Sequence, residues 1–245
     1  MRGSAAKSSI RAGAVVVAAG SGERLALGSD TPKALVALSG RPLAWHSLAR
    51  FEEESRVAAV VLVVPTGLAS RFREELVQKC GLKKVAAVVN GGRTRQESVR
   101  AGLAALDDEL DPVLIHDAAR PLVTLDLISL CIDESAECGA CIPAHPLTGT
   151  VKTVTAEMNV AETVDRAALW EAQTPQAFRS SLIREAHRKA AETGLEGTDD
   201  SRLVEALGAT VKVVQGSPEN IKVTWPADLE VARVVMSRRM GGGGS

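Results

Sequence analysis

The chain alternates two kinds of apolar pattern, and that alternation limits its folds more than any other feature. Short runs rich in valine, alanine and isoleucine recur at Ala14–Ala18, Val57–Val64, Val85–Val89, Val113–His116, Ala140–Pro143 and Val211–Val214. Most are followed by helix-patterned stretches: Pro42–Phe51, Leu68–Lys79, Gln96–Leu106, Leu125–Ala136, Leu182–Ala191, Ser201–Leu207 and Pro226–Arg238. A strand that is apolar throughout has to be covered on both faces, and a strand-helix repeat supplies the cover. The expected fold is therefore α/β, a mostly parallel twisted sheet with helices on both faces. Pro226 at the first position of the last helix, with Asp228 and Glu230 in its first turn, is what a helix start prefers.

One segment breaks the rhythm. Between Leu147 and Arg166, threonine and valine alternate with polar residues around Glu157-Met158-Asn159, which predicts a β-hairpin. A two-stranded hairpin is marginal in water by itself, so it needs a surface to pack on, a second subunit being one.

At 245 residues and 45% hydrophobic content the chain can bury a sizeable core. We expect a single domain over 13–239 with the hairpin arm at about 147–166, preceded by a disordered or tag-like 1–12 and followed by a flexible glycine-rich 240–245. Basic and acidic residues nearly cancel, 29 against 30, and aromatics make up 2%. A nucleic-acid partner is therefore not expected, since there is neither a basic stripe nor a stacking platform. A membrane partner is not expected either: no apolar run approaches the roughly 20 residues of a spanning helix, and the N-terminal stretch lacks a secretory apolar segment. The expected location is the cytosol. Cys131, Cys138, Cys141 and His145 come close to metal-ligand spacing, but the second paired knuckle of common zinc sites is missing. Cys131 and Cys141 read better as small buried hydrophobes.

Open α/β sheets bind ligands beyond the carboxyl ends of their strands, so the residues after each predicted strand are the candidate site. After the first come Ala18-Ala19-Gly20-Ser21-Gly22-Glu23-Arg24, where the glycines let the backbone wrap closely around phosphate oxygens. Leu25 stands where a dinucleotide fingerprint needs its third glycine, and the Gly-Lys-Ser/Thr ending of an ATPase loop is also missing. Instead the loop offers Arg24 and, after Pro32, Lys33: two cations for one polyphosphate. After the third strand, NGGRTRQESV (Asn90–Val99) brings Gly92, Arg95 and the hydroxyl of Ser98 to a helix start, with Thr94 equally explained as a cap. In VLIHDAARP, Asp117 ends a strand and Arg120 follows; a carboxylate there suits magnesium, a sugar hydroxyl or a plain helix cap. Lys222 of NIKVT falls in what reads as a short strand, facing opposite to Ile221 and Val223. No serine, histidine or cysteine arrangement suggests a covalent nucleophile, and phosphoryl or nucleotidyl transfer needs none.

Taken in order, Ala-Gly-x-Gly-x-Arg with Pro-Lys, then GGRTRQESV, HDAARP, TVDR, QTPQ, TDD and NIKVT, the chain resembles the 2-C-methyl-D-erythritol 4-phosphate cytidylyltransferases from Gly13 to about Arg238. The resemblance implies a Rossmann-like sheet with an extended β-hairpin arm for dimerisation. It implies transfer of the cytidylyl group of CTP to methylerythritol phosphate, with magnesium as cofactor and pyrophosphate as by-product. Arg24, Lys33 and Lys222 would be the catalytic cations. Ala18, Ala19, Gly20, Gly22, Gly92, Arg95, Ser98 and Asp117 would hold the nucleotide, while Arg120, Thr174 and Thr198 would hold the acceptor. Thr150 and Arg166 would reach the partner's site across a homodimer. The alternatives are a ribitol 5-phosphate cytidylyltransferase, a sugar-1-phosphate nucleotidyltransferase and a non-catalytic nucleotide-binding protein on the same fold. The loop between Arg24 and Lys33 looks about two residues longer than in many relatives, and Trp225 stands where an arginine is familiar.

Overall fold

The computed structural model describes residues 10–20, 22, 25 and 31–241. Arg24, Ser21 and the terminal segments 1–9 and 242–245 lie outside them. The main sheet holds eight strands: β1 (Ala12–Val17), β4 (Val57–Val64), β5 (Val85–Asn90), β6 (Val113–Asp117), β7 (Ala140–Pro146), β10 (Trp170–Ala172), β11 (Gln176–Phe178) and β12 (Lys212–Gln215). A two-residue ribbon, β2 (Ala37–Leu38) with β3 (Arg41–Pro42), and the hairpin β8 (Val151–Val154) with β9 (Val160–Val164) stand apart from it.

Strands β5, β4, β1 and β6 lie side by side and parallel. The chain runs outward from β1 to β4 and β5, then returns to place β6 on β1's other side. That reversal opens a crevice beyond the carboxyl ends of β1 and its neighbours. Strands β10 and β11, which the sequence reading did not anticipate, are short and antiparallel, and β11 fills the gap between β6 and β7. On the far side of β7, β12 pairs parallel.

The helices are α1 (Leu43–Glu53), α2 (Ala69–Phe72), α3 (Arg95–Ala105), α4 (Leu125–Cys138), α5 (Ser180–Thr193), α6 (Asp200–Ala206) and α7 (Pro226–Gly241). The expected α-helix at Leu68–Lys79 is only partly one, since beyond Phe72 the backbone winds as a π-helix, Arg73–Gln78. Alternation along β1 divides the core. Ala14 and Val16 face a cluster built with Leu48 and Phe51 of α1, Phe72 of α2 and Ile128 of α4. Val15 faces the other, built with Leu103 of α3, Ile183 of α5 and Val204 of α6. Burying each such side chain contributes about 1.5–3 kcal/mol.

Gly102 brings α3 unusually close to the sheet: a Cβ there would lie 2.4 Å from Val15 Cγ1 and 2.8 Å from Val63 Cγ2. This approach sets the N-terminus of α3 over the ends of β1 and β4. A third apolar cluster packs Leu229, Ala232 and Val235 of α7 against Leu38, Leu43, Leu122 and Val223. It moors the segment that carries Lys222. Residues 221–224 are not a strand, contrary to expectation; the Val223 N–H bonds the Ala119 carbonyl at 2.8 Å, an isolated tie with no ladder beyond it. Asp228 closes the turn into α7 by accepting from the N–H groups of Thr224 and Trp225, at 2.7 and 2.8 Å.

The hairpin forms where the Thr/Val alternation predicts it, with Val151 opposite Val164 and Val154 opposite Val160. Its tip closes through Thr155 and Asn159, and Met158 there adopts a left-handed φ of 63°. Val154, Met158 and Val160 are all more than half exposed. Cys131 and Cys141 are buried and adjacent, Cys141 Sγ lying 3.4 Å from the Cys131 carbonyl, while Cys138 is exposed and His145 faces Glu171 instead. No helix among the described residues is long and apolar enough to cross a membrane.

Candidate active site

The crevice at the switch point is a cleft of about 810 Å³. Ala18, Ala19, Gly20 and Gly22 form one wall, Gly92, Thr94, Arg95 and Ser98 another, and Lys33, Asp117 and Lys222 converge between them. Residues from four separate stretches of sequence thus meet at one sheet edge. Pro65 and Thr66 after β4, together with Thr224, also line it. Pro65 and Thr66 carry no charge and sit in no recognisable motif, and Thr224, the last residue of NIKVT, is given no role of its own by the sequence reading.

Each wall has a local cause. Gly22 has a φ of +69°, and a Cβ there would approach Lys33 Cβ to 2.6 Å, so the glycine is what lets the Lys33 side chain lie directly against this turn. A Cβ on Gly91 would sit 2.5 Å from Ala19 Cβ and 2.7 Å from Ser98 Oγ, which shows how tightly the two strand-end loops abut. Thr94 caps α3, its Oγ1 accepting from the Glu97 N–H at 3.0 Å, and Glu97 returns by accepting from the Arg93 N–H at 2.7 Å. Ser98 Oγ donates to the Thr94 carbonyl and accepts from the Gly92 N–H at 3.1 Å. The hydroxyl therefore shapes the Gly91-Gly92 backbone as well as facing the cleft.

Asp117 is the electrostatic centre. Arg95 Nε lies 3.0 Å from one carboxylate oxygen and Lys222 Nζ 2.6 Å from the other. Burial alone would raise the Asp117 pKa, but these two cations hold it well below the usual carboxylate range. Arg95 turns its other edge to Asp200, Nη1 to Oδ2 at 2.7 Å, and between two carboxylates its own affinity for a proton rises despite burial. The backbone at Asp117 is fixed from beneath. Burial pushes His116 down to about 3, so the ring is neutral; its Nε2 faces the Arg120 carbonyl, an acceptor, which makes Nε2 the protonated nitrogen. Nδ1 then accepts from the Thr174 hydroxyl at 3.0 Å, and that hydroxyl accepts from the Asp117 N–H at 3.1 Å.

The expected acceptor residues fare differently. Thr174 is buried with its hydroxyl hydrogen committed to His116. Arg120 is also buried, its Nη1 and Nη2 on the carbonyls of Asn220 and Ala172 at 2.6 and 3.3 Å, so it braces the loop leading to Lys222; its Nε has no hydrogen-bond partner among the described residues. Neither these two nor Thr198, beside the α6 cap Asp199, is among the residues lining the cleft. Thr150 and Arg166 stand on the arm, where Arg166 bonds the Thr148 carbonyl. Arg24 lies outside the described residues.

A doubly wound sheet whose switch-point cleft presents glycine backbone, converging cations and one charge-clamped carboxylate is the architecture of a nucleotidyltransferase. The family model for 2-C-methyl-D-erythritol 4-phosphate cytidylyltransferase (IspD) matches residues 12–238. A protein of that name from Alkaliphilus metalliredigens is 43% identical over 93% of this chain and 94% of its own length; one from Pelotomaculum thermopropionicum is 45% identical over 93% and 95%. Among solved structures, 4-diphosphocytidyl-2C-methyl-D-erythritol synthase from Anaerococcus prevotii superposes with a TM-score of 0.81 at 29% identity, covering 96% of this chain and 100% of that one. The Thermus thermophilus cytidylyltransferase gives 0.75 at 34% identity, covering 91% and 98%. The chain belongs to the 2-C-methyl-D-erythritol 4-phosphate cytidylyltransferase family.

Proposed function

We propose that this nucleotidyltransferase joins CTP to 2-C-methyl-D-erythritol 4-phosphate, giving 4-diphosphocytidyl-2-C-methyl-D-erythritol and pyrophosphate. The observation that carries the reading is the convergence of Lys33, Lys222 and the Asp117–Arg95 pair on one glycine-walled cleft. An oxygen of the acceptor phosphate attacks the α-phosphorus of CTP, and the bond from that phosphorus to the bridging oxygen breaks to release pyrophosphate. The acceptor phosphate is largely ionised at neutral pH, its second pKa being about 6, so no general base is required. Catalysis then rests on holding the partners in line and neutralising the charge that builds on the phosphorus.

In this reading Lys33, with Arg24, takes the triphosphate, and Lys222 stands at the α-phosphorus. Gly92 and Ser98 frame the cytosine beside Ala18, Ala19, Gly20 and Gly22. Asp117 anchors Lys222 and meets the ribose edge. Arg120 and Thr198 belong to the acceptor side, with Thr174 contributing through Asp117. Magnesium, as the cofactor, fits this donor set as an ion borne mainly by the triphosphate. Asp117 is the one carboxylate among the described cleft-lining residues, and magnesium prefers phosphate oxygens and water to an all-protein cage. When bound, it would offset phosphate charge. The exposed arm, with Val154, Met158 and Val160 uncovered, supports a homodimer in which Thr150 and Arg166 serve the partner's cleft. The reaction's partners are small and soluble, which supports a cytoplasmic setting.

The test is pyrophosphate release from CTP and magnesium with methylerythritol phosphate or ribitol 5-phosphate as acceptor. Release with the former alone is expected. Release with the ribitol ester alone, or with neither, overturns the proposal.

A further inference from the structure

The clamp on Asp117 continues beneath the cleft. Asp200, at the first position of α6, gives one oxygen to Arg95 and the other to His187 Nε2 on α5, at 2.7 and 3.0 Å. Asp200 and His187 are 1% and 2% exposed, and neither lines the nucleotide cleft. The Asp200 backbone is pinned as well. Its N–H and that of Ser201 both donate to Gln176 Oε1 at 3.1 Å, and Gln176 Nε2 donates to the capping Asp199 at 2.7 Å. A chain of contacts therefore runs His187, Asp200, Arg95, Asp117, Lys222, from the helix layer to the cleft.

We propose that Asp200 and His187 are positioning residues for the transfer step: Asp200, oriented by His187, fixes the Arg95 fork so that one edge alone reaches Asp117, which leaves the second Asp117 oxygen to place Lys222. The inference rests on the reading of Lys222 as the cation at the transferring phosphorus. The physical reason lies in the geometry of arginine. A guanidinium facing a single carboxylate takes both of its oxygens as a fork, whereas Asp200 holds the Nη1 edge and presents Nε to Asp117. Remove the Asp200 charge and Arg95 is free to turn fully onto Asp117 or outward to the triphosphate. In the first case Arg95 displaces Lys222 from its oxygen; in the second Asp117 loses the contact that fixes its orientation, and Lys222 shifts with it. His187 is needed because a carboxylate held by one contact can rotate about its Cβ–Cγ bond, and the second contact stops it.

A double-mutant cycle tests the proposal. Single-turnover rates, counted per folded molecule by near-ultraviolet circular dichroism, are measured for Asp200→Asn, Lys222→Ala and the double variant. Asp200→Asn is expected to slow transfer by about 10-fold to 100-fold while the CTP Kd moves far less, as misplacement of a catalytic group does. In the Lys222→Ala background the same substitution is expected to have no further effect, because it acts through the group already removed. His187→Leu repeats the pattern and provides the cycle if Asp200→Asn fails to fold; His187→Gln, which keeps an N–H donor, restores most of the rate. Multiplicative losses, or no loss with Asp200→Asn and His187→Leu, overturn the proposal. A normal rate for Lys222→Ala alone overturns instead the reading beneath it.

Discussion

Replacing Arg95 by methionine leaves two buried carboxylates facing an apolar side chain of similar length. At about 4 Å and an effective dielectric near 20, each lost pairing is worth about 4 kcal/mol of gross attraction, and part of that is offset because a buried guanidinium no longer has to be desolvated. Lys222 stays with Asp117 and His187 with Asp200, so both acids keep one partner. The net cost at pH 7 is expected to be about 3–5 kcal/mol, the range for removing one member of a buried pair. In a chain of this size that lowers the melting midpoint by roughly 6–20 °C. The pH dependence follows from the direction of the shifts. Burial raises the pKa of Asp117 and Asp200; Arg95, with Lys222 at Asp117 and His187 at Asp200, more than reverses this, and both lie below their unfolded values in the native protein. Their stabilisation is thus complete above the ordinary Asp pKa and is lost as the pH falls through the depressed one. Without Arg95, burial dominates at Asp200, so the variant's penalty is largest at neutral pH and shrinks as acid protonates that carboxylate. Urea unfolding of both proteins at pH 7.5 and 4.5 measures this directly. Arg95→Lys serves as a control that keeps the charge but cannot span both acids, and it is expected to fall between the two. A loss under about 1 kcal/mol at pH 7.5, or a loss equal at both pH values, would refute the claim that Arg95 is what allows two buried carboxylates to remain ionised.

Lys33→Ala is expected to lower turnover by about 10²-fold to 10³-fold with stability changed by less than about 1 kcal/mol; paired kinetics and calorimetry check this, and near-normal turnover removes its assigned role. Gly91→Ala forces a methyl group into Ala19 and Ser98, so stability should drop by about 1–3 kcal/mol and the apparent CTP affinity by about tenfold, read by denaturation and nucleotide titration. Glu54 is a purely structural case. Burial would raise its pKa, but hydrogen bonds from Arg56 and Ser129 bring it down to about 2. Glu54→Gln should therefore cost about 1–3 kcal/mol at pH 7, the gap to the native protein closing as pH falls below the unfolded value toward 2. If the arm is shared across a homodimer, as proposed, mixed dimers of Arg166→Ala and Lys222→Ala subunits should recover activity above either parent; equal activities count against sharing.

The β-branched runs made β4 legible to the residue, since a buried parallel strand must be apolar along its length. Strands β10 and β11 escaped because three-residue strands carry no periodicity, and their pairing is imposed by neighbours already in place. Lys222 looked like part of a strand because Ile221 and Val223 flank it. What decides its conformation is α7, which buries Val223 against a cluster remote in sequence. The cleft's charged and glycine residues were legible because cations and side-chain-free backbone at successive strand ends have few structural reasons to recur. Asp200 and His187 were not, since a buried acid and a helical histidine have no meaning until a partner is set against them.

Composition and periodicity by themselves determine the layered α/β fold, the hairpin that interrupts it and the loops that bear phosphate-seeking residues. These depend on patterns a few residues long, which the local backbone enforces directly. The tertiary structure alone decides that Arg95 serves two acids, that the Thr174 hydroxyl is turned inward to His116, and that Arg120 braces a loop from a buried position. Each of those depends on which groups 22 to 105 positions apart come within hydrogen-bonding distance, and only the closed core fixes that.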